Sequence, residues 1–220
     1  MKQITLICLF FLTCSLSSCF EIIEELNLEK DNSGTFIYTI NLSDSRMELG
    51  SILKLDSFKG KNVPSQAEVS QEMEKAVILV RNYPGISSAE AQKNWSDYVF
   101  TFTVKFDSLA ALNNAIENAY NKLNKTKIVL EERFLQDSNY FMRGSQINKL
   151  NLLKRLSSKE IQDLPKATYT CVYRFEKEIS SADNSFARLS KNRKAVMLKT
   201  TISTLINKKS NLNNKITFKP

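Results

Sequence analysis

The feature that most constrains this chain is a run of alternating aromatic residues near its middle. In residues 97–106, Tyr98, Phe100, Phe102, Val104 and Phe106 alternate with Thr101, Thr103 and Lys105. A period of two puts the rings on one face of a β-strand and the polar groups on the other. One face of the resulting sheet therefore has to be covered. Residues 86–92 precede it across Asn94-Trp95-Ser96 and read as its hairpin partner. The start of the chain repeats the arrangement. Residues 20–30 carry Leu26 and Leu28 on one face, Asp31-Asn32-Ser33-Gly34 makes a turn, and Phe36, Tyr38, Ile40 and Leu42 alternate after it. Residues 127–134 and 139–143 suggest a third hairpin.

Helices fall between these hairpins. A first is expected over residues 45–55. A second follows Pro64, where Ser65 and Glu68 have capping-box spacing and Val69, Met73, Ala76, Val77 and Val80 make an apolar stripe. Asp107 or Ser108 caps a third, with Leu109, Leu112, Ile116, Ala119 and Leu123 on its stripe. Ile147, Leu150, Leu153 and Leu156 mark a fourth, stopped by Pro165. Strands are expected again at 167–179, 195–202 and 215–218, with a helical turn at 204–207. Strand-strand-helix recurring about three times implies an α+β fold. Antiparallel hairpins would carry helices packed on one sheet face, as a two-layer sandwich. A single α+β domain over 19–220 is expected, with a C-terminal β subdomain over 168–220 as the alternative.

The first residues have a different logic. Lys2 is followed by an apolar run from 4 to 12, broken only by Thr5, and then by Leu16-Ser17-Ser18-Cys19. The run is too short for a permanent membrane helix. The pattern resembles a bacterial lipoprotein signal peptide with its lipobox. That resemblance implies cleavage after residue 18, acylation of Cys19 and attachment to a membrane through the N-terminal lipid. More than one acyl chain makes such attachment stable. Phe20 stands where many bacteria place a retaining Asp, so the resemblance implies the outer membrane. The acidic but apolar stretch 20–25 favours its periplasmic face.

Several further segments resemble uncharacterised envelope lipoproteins of Bacteroidetes-type bacteria. They are Glu24-Glu25-Leu26 with Asp31-Asn32-Ser33-Gly34-Thr35; Pro84-Gly85-Ile86-Ser87-Ser88; Phe106-Asp107 with Leu112-Asn113; and Phe175-Glu176-Lys177-Glu178-Ile179 with Leu189-Ser190-Lys191-Asn192-Arg193-Lys194-Ala195-Val196. The likeness implies an α+β envelope protein and carries over no activity and no functional residue.

Composition narrows the chemistry. The chain has no histidine, which removes Ser-His-Asp and Cys-His catalysis and nearly all ordinary zinc sites. Cys8 and Cys14 fall in the signal and Cys19 takes the lipid, so Cys171 alone remains and no intramolecular disulfide is expected. Within Tyr169-Thr170-Cys171-Val172-Tyr173 it reads as a small buried hydrophobe. Glu24-Glu25 and Glu131-Glu132 are the tempting carboxylate pairs. Neighbours in a strand point to opposite faces, so both are read as solvated strand faces. Ser51 and Lys54 have the spacing of a serine acyl-enzyme without its companion motif. No enzyme, cofactor or metal is expected.

Charge is uneven. Residues 181–220 hold nine Lys or Arg against Asp183 alone, while 19–180 are close to neutral. Arg188, Lys191, Arg193 and Lys194 are the expected anionic-surface residues, with Lys199, Lys208 and Lys209 in the same tail. Anionic lipid or an acidic envelope protein is the expected partner, and not nucleic acid. The sequence thus reads as a non-enzymatic binding or accessory component of the envelope. The alternative is a carrier or sensor of a hydrophobic ligand, which a cavity lined by the aromatic strand would favour.

Overall fold

A computed structural model describes residues 20–58, 60–126, 133–144, 167–207 and 209–220. The expected fourth helix and the carboxylates Glu131 and Glu132 lie outside the described residues, as do Cys19 and Lys208. The fold is α+β, built on a seven-stranded sheet. Its first hairpin joins β1 (Glu21–Leu28) to β2 (Gly34–Asn41). A Cβ at Gly34 would stand 2.2 Å from the Asn27 carbonyl oxygen, so only glycine lets the hairpin close so tightly. After a short helix α1 (Arg46–Ile52) and a two-stranded ribbon of β3 (Ser57–Phe58) and β4 (Lys61–Asn62) comes helix α2 (Gln66–Arg81). The Ser65–Glu68 capping box is fully formed at its start. Gly85, at φ +80°, turns the chain into β5 (Ile86–Asn94), which pairs with the aromatic strand β6 (Val99–Phe106).

Ser108 caps helix α3 (Leu109–Asn124) by accepting from the Ala111 amide. Two short strands follow, β7 (Phe134–Gln136) and β8 (Tyr140–Arg143). The chain then returns to the main sheet as β9 (Thr168–Phe175). Next come β10 (Ile179–Ala182), β11 (Ala187–Leu189), β12 (Ala195–Thr201), helix α4 (Ile202–Ile206) and β13 (Asn214–Phe218). The main sheet has the order β11-β12-β9-β1-β2-β6-β5, and a second sheet the order β10-β13-β8-β7.

One pairing departs from the antiparallel expectation. β1 and β9 run parallel, with Glu24 opposite Cys171 and Leu26 opposite Tyr173. A parallel neighbour requires a long crossover, and the chain between the two strands holds helices α2 and α3 and the β7–β8 hairpin. Strands β9 to β13 are shared between the two sheets, and β9 joins the N-terminal hairpin.

The registers place Leu26, Leu28, Phe36, Val104, Phe106, Tyr173 and Leu198 on one inner face of the main sheet. Helices α2 and α3 cover this face over β5 and β6. The second sheet brings Phe134, Phe141 and Ile216 into the same core. The outer face carries Thr39 against Thr101, Glu25 against Arg174, and Glu21 against Lys199.

Candidate functional site: a buried arginine–glutamate cluster beside an apolar slot

Glu24 lies in phase with Ile22, Leu26 and Leu28, so the pleat turns it toward the core, where it is fully buried. This overturns the expectation of a solvated carboxylate. Only its neighbour Glu25 faces outward, 2.8 Å from Arg174. A lone buried carboxylate is prohibitive, and Glu24 is surrounded by donors. Arg143 from β8 donates through Nε and Nη2, each at 3.2 Å. Arg133, just before β7, donates through Nη2 to Oε2. Two hydroxyls complete the shell, Tyr169 at 2.7 Å and Tyr173 at 2.5 Å, both from β9. The Cys171 thiol lies 3.9 Å away.

The electrostatics follow from this geometry. Burial by itself would push the Glu24 carboxyl up. The charges of Arg133 and Arg143 outweigh it, and the group is held far below the usual carboxylate range. Burial raises the Tyr169 and Tyr173 hydroxyls, and the Glu24 charge raises both further. Cys171 is pushed up to about 12, first by burial and then by Glu24. At neutral pH the thiol and phenols are therefore uncharged and Glu24 is ionised. Such a carboxylate is a weak proton acceptor and such a thiol a weak nucleophile. Among the described residues the cluster holds two guanidinium groups against one carboxylate, one positive charge in excess.

Arg133 is the member that reaches beyond the cluster. Its side chain keeps 11 % exposure, whereas Arg143 keeps 1 %. Its Nε is buried without a hydrogen-bond partner. Asn113 of α3 fixes the backbone beside it, donating to the Phe134 carbonyl at 2.7 Å and accepting from the Phe134 amide at 3.2 Å.

Arg133 also borders a cavity of about 220 Å³ under the helices. The slot crosses β5, β6 and β2, so it reaches roughly 10 Å across the sheet at ordinary strand spacing. Val77 and Val80 of α2 and Ile116 of α3 form its roof; Phe102, Val104 and Phe36 form its floor. Tyr38 lines it too, and burial raises its hydroxyl's pKa. Room exists because Ala76 and Ala89 stand where larger side chains would fill it. Glu90 borders the slot at the edge strand, but its register opposite Thr103 assigns its side chain to the outer face.

The residues singled out for charge lie elsewhere. Arg188, Lys191, Arg193 and Lys194 share the β11–β12 hairpin. Arg188, Lys191 and Lys194 are exposed. Arg193 is occupied: its Nε donates to the Ile179 carbonyl at 2.7 Å, its Nη2 donates to that of Ser180, and Glu178 is 4.0 Å away. Lys199 pairs with Glu21 on the outer face and Lys219 with Glu178.

No family model and no curated protein matches this chain. Among solved structures it is similar to the NMR structure of the folded domain of LppM (Rv2171) from Mycobacterium tuberculosis. That similarity has 12 % identity and a TM-score of 0.42, covering 91 % of this chain and 89 % of that one.

Proposed function

We propose that this chain is a lipid-anchored envelope protein whose α+β domain binds a hydrophobic ligand in the slot between α2, α3 and the main sheet. The slot is the observation that carries the reading. It is lined by the aromatic strand and is mostly apolar, and small residues keep it from closing. The anchor rests on the lipobox-like Leu16-Ser17-Ser18-Cys19. β1 opens at Glu21, so the anchor would hold the domain near the source of such a ligand, with no intervening tether. On this reading the domain is a carrier or sensor, not a catalyst, and it sits on the periplasmic face of the outer membrane. The exposed Arg188, Lys191 and Lys194 would meet anionic headgroups.

The test is photolabelling of the full chain in zwitterionic nanodiscs with a diazirine-bearing 1-octanol. Label should concentrate on peptides containing Val80 and Phe102, and Ala76→Leu, which narrows the slot, should remove it. Label scattered over the surface and indifferent to Ala76→Leu would sink the proposal.

A further inference from the structure

We infer that the occupant of the slot is a single-chain monocarboxylate, with its alkyl chain among Val77, Val80, Phe102 and Ile116 and its carboxylate on Arg133. This rests on the binding reading above and adds the chemistry of the ligand. Three observations converge on it. The first is charge: among the described residues, Glu24 neutralises one of two buried guanidinium groups, and one monoanion would balance the other. A phosphate monoester would overshoot that balance at neutral pH. The second is donor geometry. Arg143 presents Nε and Nη2 side-on to Glu24, whereas Arg133 uses Nη2 and leaves Nε without a partner. A guanidinium with a spare in-plane N–H suits a planar carboxylate. The third is placement and size. Arg133 is one of the residues that line the slot, and most of the remaining lining is apolar. At roughly 30 Å³ for a water-sized group, 220 Å³ matches about seven methylenes, the alkyl part of one eight-carbon chain.

The polar end has reason to sit at Arg133 and not among the apolar lining. A carboxylate among Val80, Phe102 and Ile116 would lose its water without a donor in return. At Arg133 the guanidinium is already held in position by Glu24 and by the Tyr169 oxygen, 3.1 Å from Nη2, so little side-chain freedom is lost on binding.

Competition on the full chain in nanodiscs tests this. Photoreactive octanol is displaced by unlabelled octanoate, 1-octanol or octyl phosphate, each corrected for partitioning into empty nanodiscs. Octanoate should compete at least about tenfold better than octanol, as a hydrogen bond to a charged group predicts. Shortening octanoate by two carbons should weaken it by about another tenfold. Arg133→Lys keeps the charge opposite Glu24 but loses the Nε–H. If its circular dichroism is unchanged, it should bring the octanoate and octanol affinities closer together. Octanol equal to octanoate, or octyl phosphate better than either, overturns the carboxylate assignment while hydrophobic binding stands. Slot labelling that none of the three displaces overturns both.

Discussion

Under the second sheet, the inner face of the main sheet is filled. Tyr173 meets Phe134 and Phe141 at ring-centroid distances of 6.1 and 5.3 Å, and Phe175 meets Phe141 and Phe218 at 5.2 and 5.0 Å. Arg143, Tyr169 and Tyr173, all buried there, converge on Glu24. Under α2 and α3, the same face carries Phe102 and Val104 against Ala76, Ala89 and Val80, and a slot remains. Both halves are apolar strand surfaces. The difference lies in the cover: the second sheet sets large rings tilted or edge-on against those of β9, whereas two helices meeting the sheet at small residues span a gap. A packed half holds Arg133 in place, and a loose half offers it something to bind.

That comparison breaks first at Glu24. Glu24→Gln leaves two buried guanidinium groups without an anion and should cost about 3–5 kcal/mol, as removing one partner of a buried pair does. Denaturant unfolding of wild type and variant measures it. The pH dependence follows from the same group. Its folded-state pKa is depressed, so its contribution is complete above the unfolded carboxylate value of about 4.3 and is lost as pH falls below that. Wild type should lose stability more steeply than Glu24→Gln in that acid window. Parallel acid curves would mean that Glu24 is not the buried anion described here.

The two halves should also differ in what a deleted ring costs. Phe141, fully buried, should lose roughly 3–5 kcal/mol on replacement by Ala. Phe102 already faces empty space and forfeits fewer contacts, so Phe102→Ala should cost about 1–2 kcal/mol. Equal losses in urea unfolding would say that the slot is filled in solution and the contrast is false.

Enlarging a side chain reverses the sign of the comparison. In the packed half, Cys171→Leu forces extra methylenes among Tyr169, Tyr173 and Glu24 and should cost ~1–3 kcal/mol. In the loose half, Ala76→Leu should be neutral or stabilise by up to about 1 kcal/mol. Thermal unfolding of the two variants side by side decides it.

Much of this was readable from the chain. Ser65 and Glu68, Ser108, Gly85 and the Phe100–Phe106 alternation are local signals, and each is expressed where it is written; Tyr98 falls outside the strand, in the turn before β6 at φ +54°. Helix α3 follows its stripe except at Leu123, which the last turn leaves 38 % exposed. Cys171 is buried as its strand context suggested. What escaped is non-local. Glu24 could have been suspected, because it shares a phase with Ile22, Leu26 and Leu28. Its partners could not, because Arg133 and Arg143 are 109 and 119 residues away and look like any surface base. The parallel β1–β9 pair was hidden for the same reason, since hairpin spacing speaks only of neighbours. Strands β10 and β11 are too short to show alternation. The slot itself follows from alanines on α2 and β5 facing each other, which only the packing of the two elements reveals.

The smallest effect is the sharpest control on this picture. Glu25 sits one residue from Glu24, with the same charge and the same strand. Its carboxylate lies 2.8 Å from Arg174, whose Nη1 also donates to Asn27 at 3.1 Å. Both partners are partly solvated, with side-chain exposures of 26 % and 48 %. Water therefore screens the pair, and holding two flexible side chains costs entropy that offsets much of the attraction. Glu25→Gln should then change stability by less than about 1 kcal/mol, and raising salt should shrink even that. Identical chemistry on neighbouring residues would differ severalfold in cost only because the pleat turns one inward. If Glu25→Gln instead matched Glu24→Gln, the sheet would be in the opposite register, with Glu25 and not Glu24 facing the arginines.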